Sequence, residues 1–251
     1  MTLPPNLPPN LPPISPSVPY ETIRSTLRTG DLVFLYGNSA AGAMIEKLET
    51  LAGWPPFSHV GMVINDNGSL YFWDAPGGGC QFPDPYSGDP NNRIYGSKLH
   101  DGCRVSNLDD VLAYYALKTV APGFWFRQLT SGVSADQFAA LRLFINRVDG
   151  QPFPTLGTGP NAAVDGLMAS FTAGQARGSA LFGSYYCAQL VADAYLHMGL
   201  LTMEDYPANG YSPSAFSLDL PAPRLPLVNG VTLGDIFFVD WNLPKIAPCV
   251  E

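Results

Sequence analysis

The chain has 251 residues, of which 46% are hydrophobic and 14% are charged, and its net charge is −8. So small a charged fraction favours a folded chain over a disordered one. An acidic chain repels phosphate, so we expect no nucleic-acid partner. The sequence has no apolar stretch long enough to span a bilayer and no signal-peptide pattern at its start. We therefore expect no transmembrane segment and, by default, a cytoplasmic protein.

Cysteine and histidine are scattered along the chain. The residues concerned are Cys80, Cys103, Cys187, Cys249, His59, His100 and His197. No C-x-x-C pair and no metal-ligand spacing occurs among them. We therefore expect free thiols, no metal site and no cofactor.

The N-terminal segment is dominated by proline, with Leu-Pro-Pro repeated between residues 3 and 13. Proline fixes φ and lacks a backbone donor, so this repeat is predicted to stay outside any sheet or helix. We expect residues 1–19 to form a disordered, Pro-rich tail. Residues 20–251 are predicted to form a single domain.

In chain order, the first predicted elements are a strand, a helix and a β-hairpin. The apolar run at 32–36 has strand length, and a helix follows it up to Leu51. A second strand at 58–64 returns as a third at 70–75, because the Asn-Asp-Asn-Gly turn between them tolerates positive φ. Residues 76–107, rich in Gly, Pro and Asn, are predicted to form a long loop.

The second half of the chain alternates helices with two strands. Ser134 and Gln137 form a capping box that marks the start of one helix. The segment 155–183 is rich in Gly, Ala and Ser, which favours a mobile loop or a weak helix. The remaining predicted elements are helices at 108–119 and 184–200 and strands at 124–129 and 231–240.

Cys187 lies in the first turn of the predicted 184–200 helix. Unpaired N–H groups and the helix dipole at that position favour a thiolate, and they can also stabilise an oxyanion. The pattern therefore fits a nucleophilic cysteine. The alternative is a small buried apolar residue, which is what most free cysteines are.

His59 interrupts an otherwise apolar strand, and Asp74 ends the strand that returns from the hairpin turn. A buried carboxylate needs a partner, and the hairpin brings the far end of one strand beside the start of the other. Asp74 is thus predicted to lie next to His59 and to fix its tautomer. The alternatives are a core histidine and an aspartate at a strand end that leads into the glycines that follow.

Several short motifs follow one another along the chain. They are Gly-Asp-Leu-Val-Phe, Ser-His-Val-Gly-Met-Val, an acidic residue before Ala and glycines, Arg127 in a strand, Gly-Gln-Pro-Phe, Tyr-Tyr-Cys-Ala-Gln-Leu-Val and Tyr-Ser-Pro-Ser-Ala-Phe. Their order resembles the circularly permuted papain-like families related to NlpC-type peptidases, particularly the YiiX-like group. The resemblance covers roughly residues 28–240. It implies an α+β fold in which the nucleophile helix packs on an antiparallel, barrel-like sheet.

The resemblance also implies roles for residues of this chain. Cys187 would be the nucleophile, His59 the general base and Asp74 the acidic orienter, with a peptide-like or lipid-linked acyl substrate. The family more often has Glu at the third position and Ser-Glu after the cysteine, where this chain has Asp74 and Ala188-Gln189. The expected activity is hydrolysis of an amide, ester or thioester through an acyl-enzyme.

Two other functions remain open at this point. One is an acyltransferase that resembles the lecithin retinol acyltransferase-like relatives, and the other is a catalytically inactive binding scaffold. Tyr185, Tyr186 and Ser58 are candidates for lining the pocket or for the oxyanion site, with plain packing as the alternative for the two tyrosines. His100 and Cys103 are expected at the surface of the long loop, and His197 is expected to cap its helix.

Overall fold

A computed structural model describes residues 10–37, 40–77, 102–118, 123–156, 162–176, 183–203, 206–218, 225–228 and 230–243. Within those ranges the chain forms a mixed α/β structure, with one seven-stranded sheet and helices on both of its faces. None of the described helices is long and apolar enough to cross a membrane.

The regular elements follow the predicted order closely. The strands are β1 (Ser17–Pro19), β2 (Leu32–Leu35), β3 (His59–Asp66), β4 (Ser69–Asp74), β5 (Arg104–Asn107), β6 (Gly123–Arg127) and β7 (Phe237–Asp240). The helices are α1 (Tyr20–Arg24), α2 (Ala40–Leu51), α3 (Leu108–Lys118), α4 (Ala135–Val148), α5 (Ala162–Gln175), α6 (Cys187–His197) and α7 (Pro213–Ser217), with a 3-10 turn at Ala208–Gly210.

The sheet has the strand order β1-β7-β6-β2-β3-β4-β5. Every neighbouring pair is antiparallel except β1 with β7, which is parallel. The expectation of a barrel-like sheet is wrong for the described residues, because β1 and β5 stand at opposite edges and do not pair with each other. The sheet is open and is covered by helices instead.

Strand alternation divides the interior into two cores. Phe34, Val60 and Met62 belong to the core that includes the buried residues of α4 and α6. Val33 and Val63, which point the other way, belong to the core shared with α1 and α3. Both faces of β2 and β3 are thus covered, which is why these strands are almost continuously apolar.

The start of the folded part differs from the prediction. Ser17–Pro19 forms β1 and pairs with β7 at the sheet edge, a position where a proline without a donor is tolerated. Upstream, the indole Nε1 of Trp125 donates to the Pro12 carbonyl at 3.1 Å. The expectation that the whole 1–19 segment is a disordered tail is therefore wrong for residues 10–19, because the edge of the sheet supplies backbone partners for it. Residues 1–9 lie outside the described residues.

The predicted long loop at 76–107 is also partly wrong. Residues 104–107 form β5, in which Arg104 pairs with Asp74 of β4. Cys103 is completely buried rather than exposed, and its N–H donates to the Gln151 carbonyl at 2.8 Å. Cys80, His100 and Cys249 lie outside the described residues.

Two predicted features of the helices are resolved by the structure. The capping box of α4 is confirmed, since the Ser134 side chain accepts from Gln137 N–H and the Gln137 side chain accepts from Ser134 N–H. The weak-helix interpretation of 155–183 is confirmed for Ala162–Gln175, which is α5. The final strand is shorter than predicted, because only Phe237–Asp240 pairs with β6.

Candidate active site

The β3–β4 hairpin brings His59 and Asp74 together. Its turn contains Asn67 with φ 52° and Gly68 with φ 89°, the left-handed conformations that Asn and Gly tolerate. His59 is the first residue of β3 and Asp74 is the last of β4. His59 Nε2 lies 3.0 Å from Asp74 Oδ2. The structure thus places the two side chains as the turn predicted.

Asp74 is completely buried, and three side chains contact its carboxylate. Besides His59, Arg104 Nε donates to Oδ1 at 3.0 Å and the Tyr115 hydroxyl donates to Oδ2 at 2.8 Å. Burial alone would raise the pKa of Asp74, but the Arg104 charge and the His59 contact overcome it and lower that pKa to about 2. Asp74 is therefore an ionised carboxylate at neutral pH.

Sequence analysis missed Arg104 and Tyr115. A buried aspartate implies a cationic partner, so the presence of one was foreseeable. Its identity depends on the register of β4 with β5, where Asp74 pairs with Arg104, and on the packing of α3, which carries Tyr115. Neither feature leaves a local signal in the sequence.

His59 is largely buried, with 14% of its side chain exposed, and its pKa is raised to about 9. Burial works against the imidazolium. The Cys187 charge, hydrogen bonds to Asp74 and Cys187, and the Asp74 charge outweigh it. Tyr115 adds a ring contact, with its centroid 5.7 Å from that of the imidazole. His59 is thus hydrogen-bonded to Asp74 and interacts electrostatically with Cys187, and its raised pKa favours the protonated imidazole at neutral pH.

Cys187 is the first residue of α6 and is only 2% exposed. The residue before it, Tyr186, has extended backbone angles and makes no side-chain cap hydrogen bond. The first bond of the helix is made by Leu190 N–H to the Tyr186 carbonyl. The N–H groups of the first turn, including that of Cys187, therefore have no intrahelical partner and face the start of the helix.

The three candidate pocket or oxyanion residues all make contacts within the fold, and Tyr186 also lines a cavity. The Ser58 hydroxyl donates to the Leu35 carbonyl at 3.1 Å and accepts from Gly37 N–H at 2.8 Å, which joins the end of β2 to the start of β3. The Tyr186 hydroxyl donates to the Asn209 carbonyl at 2.5 Å. Tyr185 packs its ring against Phe144 and has Asp193 as a side-chain hydrogen-bond partner. The structure gives these three side chains structural contacts rather than an oxyanion-binding geometry.

A second buried carboxyl group, Glu49 of α2, was not anticipated from the sequence. It is 2% exposed, and its Oε1 accepts from Ser214 N–H at 3.0 Å. Burial raises its pKa well above the usual value, the Ser214 and Ser212 contacts oppose this, and the Cys187 charge adds to the increase. One turn earlier, burial raises the pKa of Glu46 to about 7. Two acids three residues apart on a helix usually face water, so no sequence pattern predicts that Glu49 is buried and Glu46 partly buried.

His197 ends α6, as expected of a capping residue. Its Nδ1 lies 2.8 Å from the Asp193 carbonyl, and its ring stacks on Phe144 with centroids 4.2 Å apart. Among the described residues, no three His, Cys, Asp or Glu side chains lie close enough together to hold a metal ion.

Comparison with known proteins gives little beyond the geometry. No family model matches the chain, and no curated protein is similar to it in sequence. Among solved structures, the chain is similar to the metalloprotein YiiX from Escherichia coli O157:H7, with a TM-score of 0.45 and 14% sequence identity. The similarity covers 84% of this chain and 98% of that one. So distant a likeness carries no conclusion about function.

Proposed function

We propose that the chain is a cysteine-nucleophile hydrolase of circularly permuted papain-like type, in which Cys187, His59 and Asp74 act on an amide, ester or thioester. The observation that carries the proposal is the position of His59, which is hydrogen-bonded to a buried ionised aspartate and interacts electrostatically with Cys187 at the start of α6. This is the nucleophile–base–orienter arrangement of thiol hydrolases.

Each group of the proposed site has a distinct role in the reaction. His59 Nε2 lies against Asp74, which leaves Nδ1 to exchange a proton with the Cys187 sulfur. Asp74, fixed by Arg104 and Tyr115, holds the ring in that tautomer and stabilises the imidazolium. The backbone N–H groups at the start of α6 supply the donors for the oxyanion.

The reaction follows from these positions. The Cys187 thiolate attacks the carbonyl carbon, and the imidazolium of His59 donates its proton to the departing amine, alcohol or thiol, which leaves a thioester on Cys187. Neutral His59 then removes a proton from water. The resulting hydroxide attacks the thioester, the acid product leaves, and the thiolate–imidazolium pair is restored.

The first experiment is the pH dependence of Cys187 alkylation by iodoacetamide, measured by peptide mass mapping. Cys80, Cys103 and Cys249 serve as internal references, and His59→Ala is measured alongside. We expect Cys187 of the wild-type protein to be alkylated rapidly well below pH 8, because the protonated imidazole favours the thiolate. In His59→Ala the alkylation of Cys187 should be slower. The proposal would be contradicted if Cys187 were alkylated no faster than Cys80 and Cys249 and if the rate were unchanged in His59→Ala. That result would favour a binding scaffold.

A second measurement separates hydrolysis from acyl transfer. Wild-type protein is mixed with a 4-nitrophenyl ester, and the mass of the intact chain is followed with and without an added amine. Hydrolysis predicts that the acyl group on Cys187 is released as the free acid whether or not amine is present. Release predominantly as the amide would identify an acyltransferase instead.

A further inference from the structure

A cavity of about 350 Å³ lies beside the start of α6, between α2 and α5. Its walls are mostly apolar and include Ile45 and Leu48 of α2, Ala52 just after that helix, and Leu167, Met168 and Phe171 of α5. This size lies at the lower end of the range for small-molecule pockets, and an apolar lining with few polar groups is typical of them.

Two wall residues connect the cavity with Cys187. Tyr186 lines it and directly precedes Cys187, and its hydroxyl is anchored on the Asn209 carbonyl. Glu49 also lines it, and its carboxyl group interacts electrostatically with Cys187. Tyr186 thus places part of the cavity wall at the residue that directly precedes the first turn of α6.

The charge of the wall favours an uncharged occupant. Among the described residues that line the cavity, Glu49 carries the one carboxyl group, and none carries a basic side chain. Burial raises the pKa of Glu49 well above its usual value, so the group is protonated when the cavity is empty. An anionic ligand would find no cation to pair with, and its desolvation would go uncompensated.

The outer surface of α2 points to the same chemistry. Met44, Leu48 and Leu51 are exposed to the extent of 36%, 36% and 76%, and their spacing puts them on one side of the helix. Leu48 belongs both to this exposed stripe and to the cavity wall. The stripe therefore extends the apolar lining out to the surface, as expected where an apolar chain enters.

We propose that this cavity binds the acyl part of the substrate and selects an uncharged, extended apolar acyl chain. The inference rests on the proposed function above, because it names the group that Cys187 would carry as a thioester. Peptide-like substrates with charged side chains are disfavoured by the same apolar wall.

Binding is tested without catalysis in the Cys187→Ala variant by calorimetry with hexanamide, decanamide and decanoate. Each methylene buried in the cavity strengthens binding by up to about fourfold, so decanamide should bind at least about tenfold tighter than hexanamide. Decanoate, which has the same chain with a negative charge, should bind about tenfold weaker than decanamide, or more weakly still. Equal affinity for the two amides, or affinity for decanoate equal to that for decanamide, would overturn the proposal.

Substitutions of residues that line the cavity test whether decanamide binds there. Met168→Trp and Thr172→Trp place bulk in the cavity at partly exposed positions of α5, and each should weaken decanamide binding by about tenfold or more. Leu143→Trp on α4, at a leucine that is 73% exposed, is the matched control and should bind decanamide like the parent. Unchanged binding in both α5 variants, with native circular dichroism, would overturn the proposal.

Wild-type kinetics with 4-nitrophenyl acetate and decanoate esters separate the two proposals. If Cys187 reacts with neither ester while decanamide still binds, the hydrolase proposal fails and the cavity proposal stands. If both esters acylate Cys187 with equal kcat/KM, the cavity proposal fails and the hydrolase proposal stands. A decanoyl preference that Met168→Trp removes, and Leu143→Trp does not, supports both.

Discussion

Two buried carboxyl groups lie near Cys187, and their environments favour the ionised form of one and the neutral form of the other. Asp74 is 0% exposed and Glu49 is 2% exposed. Asp74 is contacted by Arg104, Tyr115 and His59, which together lower its pKa to about 2. Glu49 accepts one hydrogen bond from Ser214 N–H but lies in an apolar wall, and burial keeps its pKa raised.

The comparison shows that burial by itself does not decide protonation. The number and charge of the donors around each carboxyl group decide its protonation state. A nearby cation offsets the free energy of desolvating an anion, whereas a neutral donor offsets only part of it. One wall of the candidate site thus carries a fixed negative charge that orients His59. The other wall is uncharged and suits an apolar ligand.

The largest expected effect is on the free energy of unfolding when the cation beside Asp74 is removed. Arg104→Met leaves a buried carboxylate without its cation, so the free energy of unfolding should fall by about 3–5 kcal/mol. The control is Arg24→Met, which removes the exposed ion pair with Asp109 at 2.7 Å and should cost less than about 1 kcal/mol. Urea unfolding measures both variants. Equal costs would contradict the description of Asp74 as a buried ion that depends on Arg104.

Removal of the Asp74 charge should act on His59. In Asp74→Asn the imidazolium loses its charge partner and has at most a neutral amide oxygen as acceptor, so the pKa of His59 should fall from about 9 by a unit or more. Histidine NMR titration measures this directly. Cys187 alkylation near pH 6 should slow by about tenfold, because less of the thiolate–imidazolium pair is present. An unchanged His59 titration would show that Cys187 alone sets that pKa.

Tyr115→Phe should have a smaller effect. The variant loses one donor to Asp74, which costs about 1 kcal/mol, but keeps the ring beside His59. The depressed pKa of Asp74 contributes stability that is present above about pH 3.8 and is lost as the pH falls through about 2. With a donor removed, acid unfolding should begin at higher pH. The same substitution in an Asp74→Asn background should cost much less, since the acceptor charge is gone.

The smallest expected effect is at Glu49. Glu49→Gln keeps the shape of the side chain and should change the free energy of unfolding by less than about 1 kcal/mol at pH 5. Because the folded-state pKa of Glu49 is raised, its contribution is fully present below about pH 4.5 and is lost as the pH rises through the folded value. The variant should therefore gain stability relative to wild type between pH 5 and pH 9, as measured by urea midpoints. An identical difference at both pH values would contradict a neutral buried Glu49.

The hairpin and the Cys187 helix could be predicted because their signals are local. An Asn-Gly turn between two apolar runs sets the positions of His59 and Asp74, which the structure places 3.0 Å apart. The capping box of α4 is local in the same sense. Helical periodicity predicts a helix with Cys187 in its first turn, although α6 begins at Cys187 and not at residue 184 as expected.

The failures have a common physical cause, which is pairing between distant parts of the chain. A Pro-rich segment is predicted to be unpaired from its sequence, but Ser17–Pro19 pairs with β7 at the edge of the sheet. The 76–107 segment is predicted to be a loop from its composition, but Arg104–Asn107 pairs with β4. Closure of the sheet depends on whether its two edges meet, and no local pattern encodes that.

The sequence by itself determined the order of most helices and strands, the hairpin that joins His59 to Asp74, and the position of Cys187 in the first turn of a helix, because turn chemistry and periodicity act over a few residues. The tertiary structure decided the rest. It chose Arg104 and Tyr115 as partners of Asp74, turned Glu49 inward and formed the cavity between α2 and α5. These features come from contacts between elements far apart in the chain, where packing and desolvation outweigh local preference.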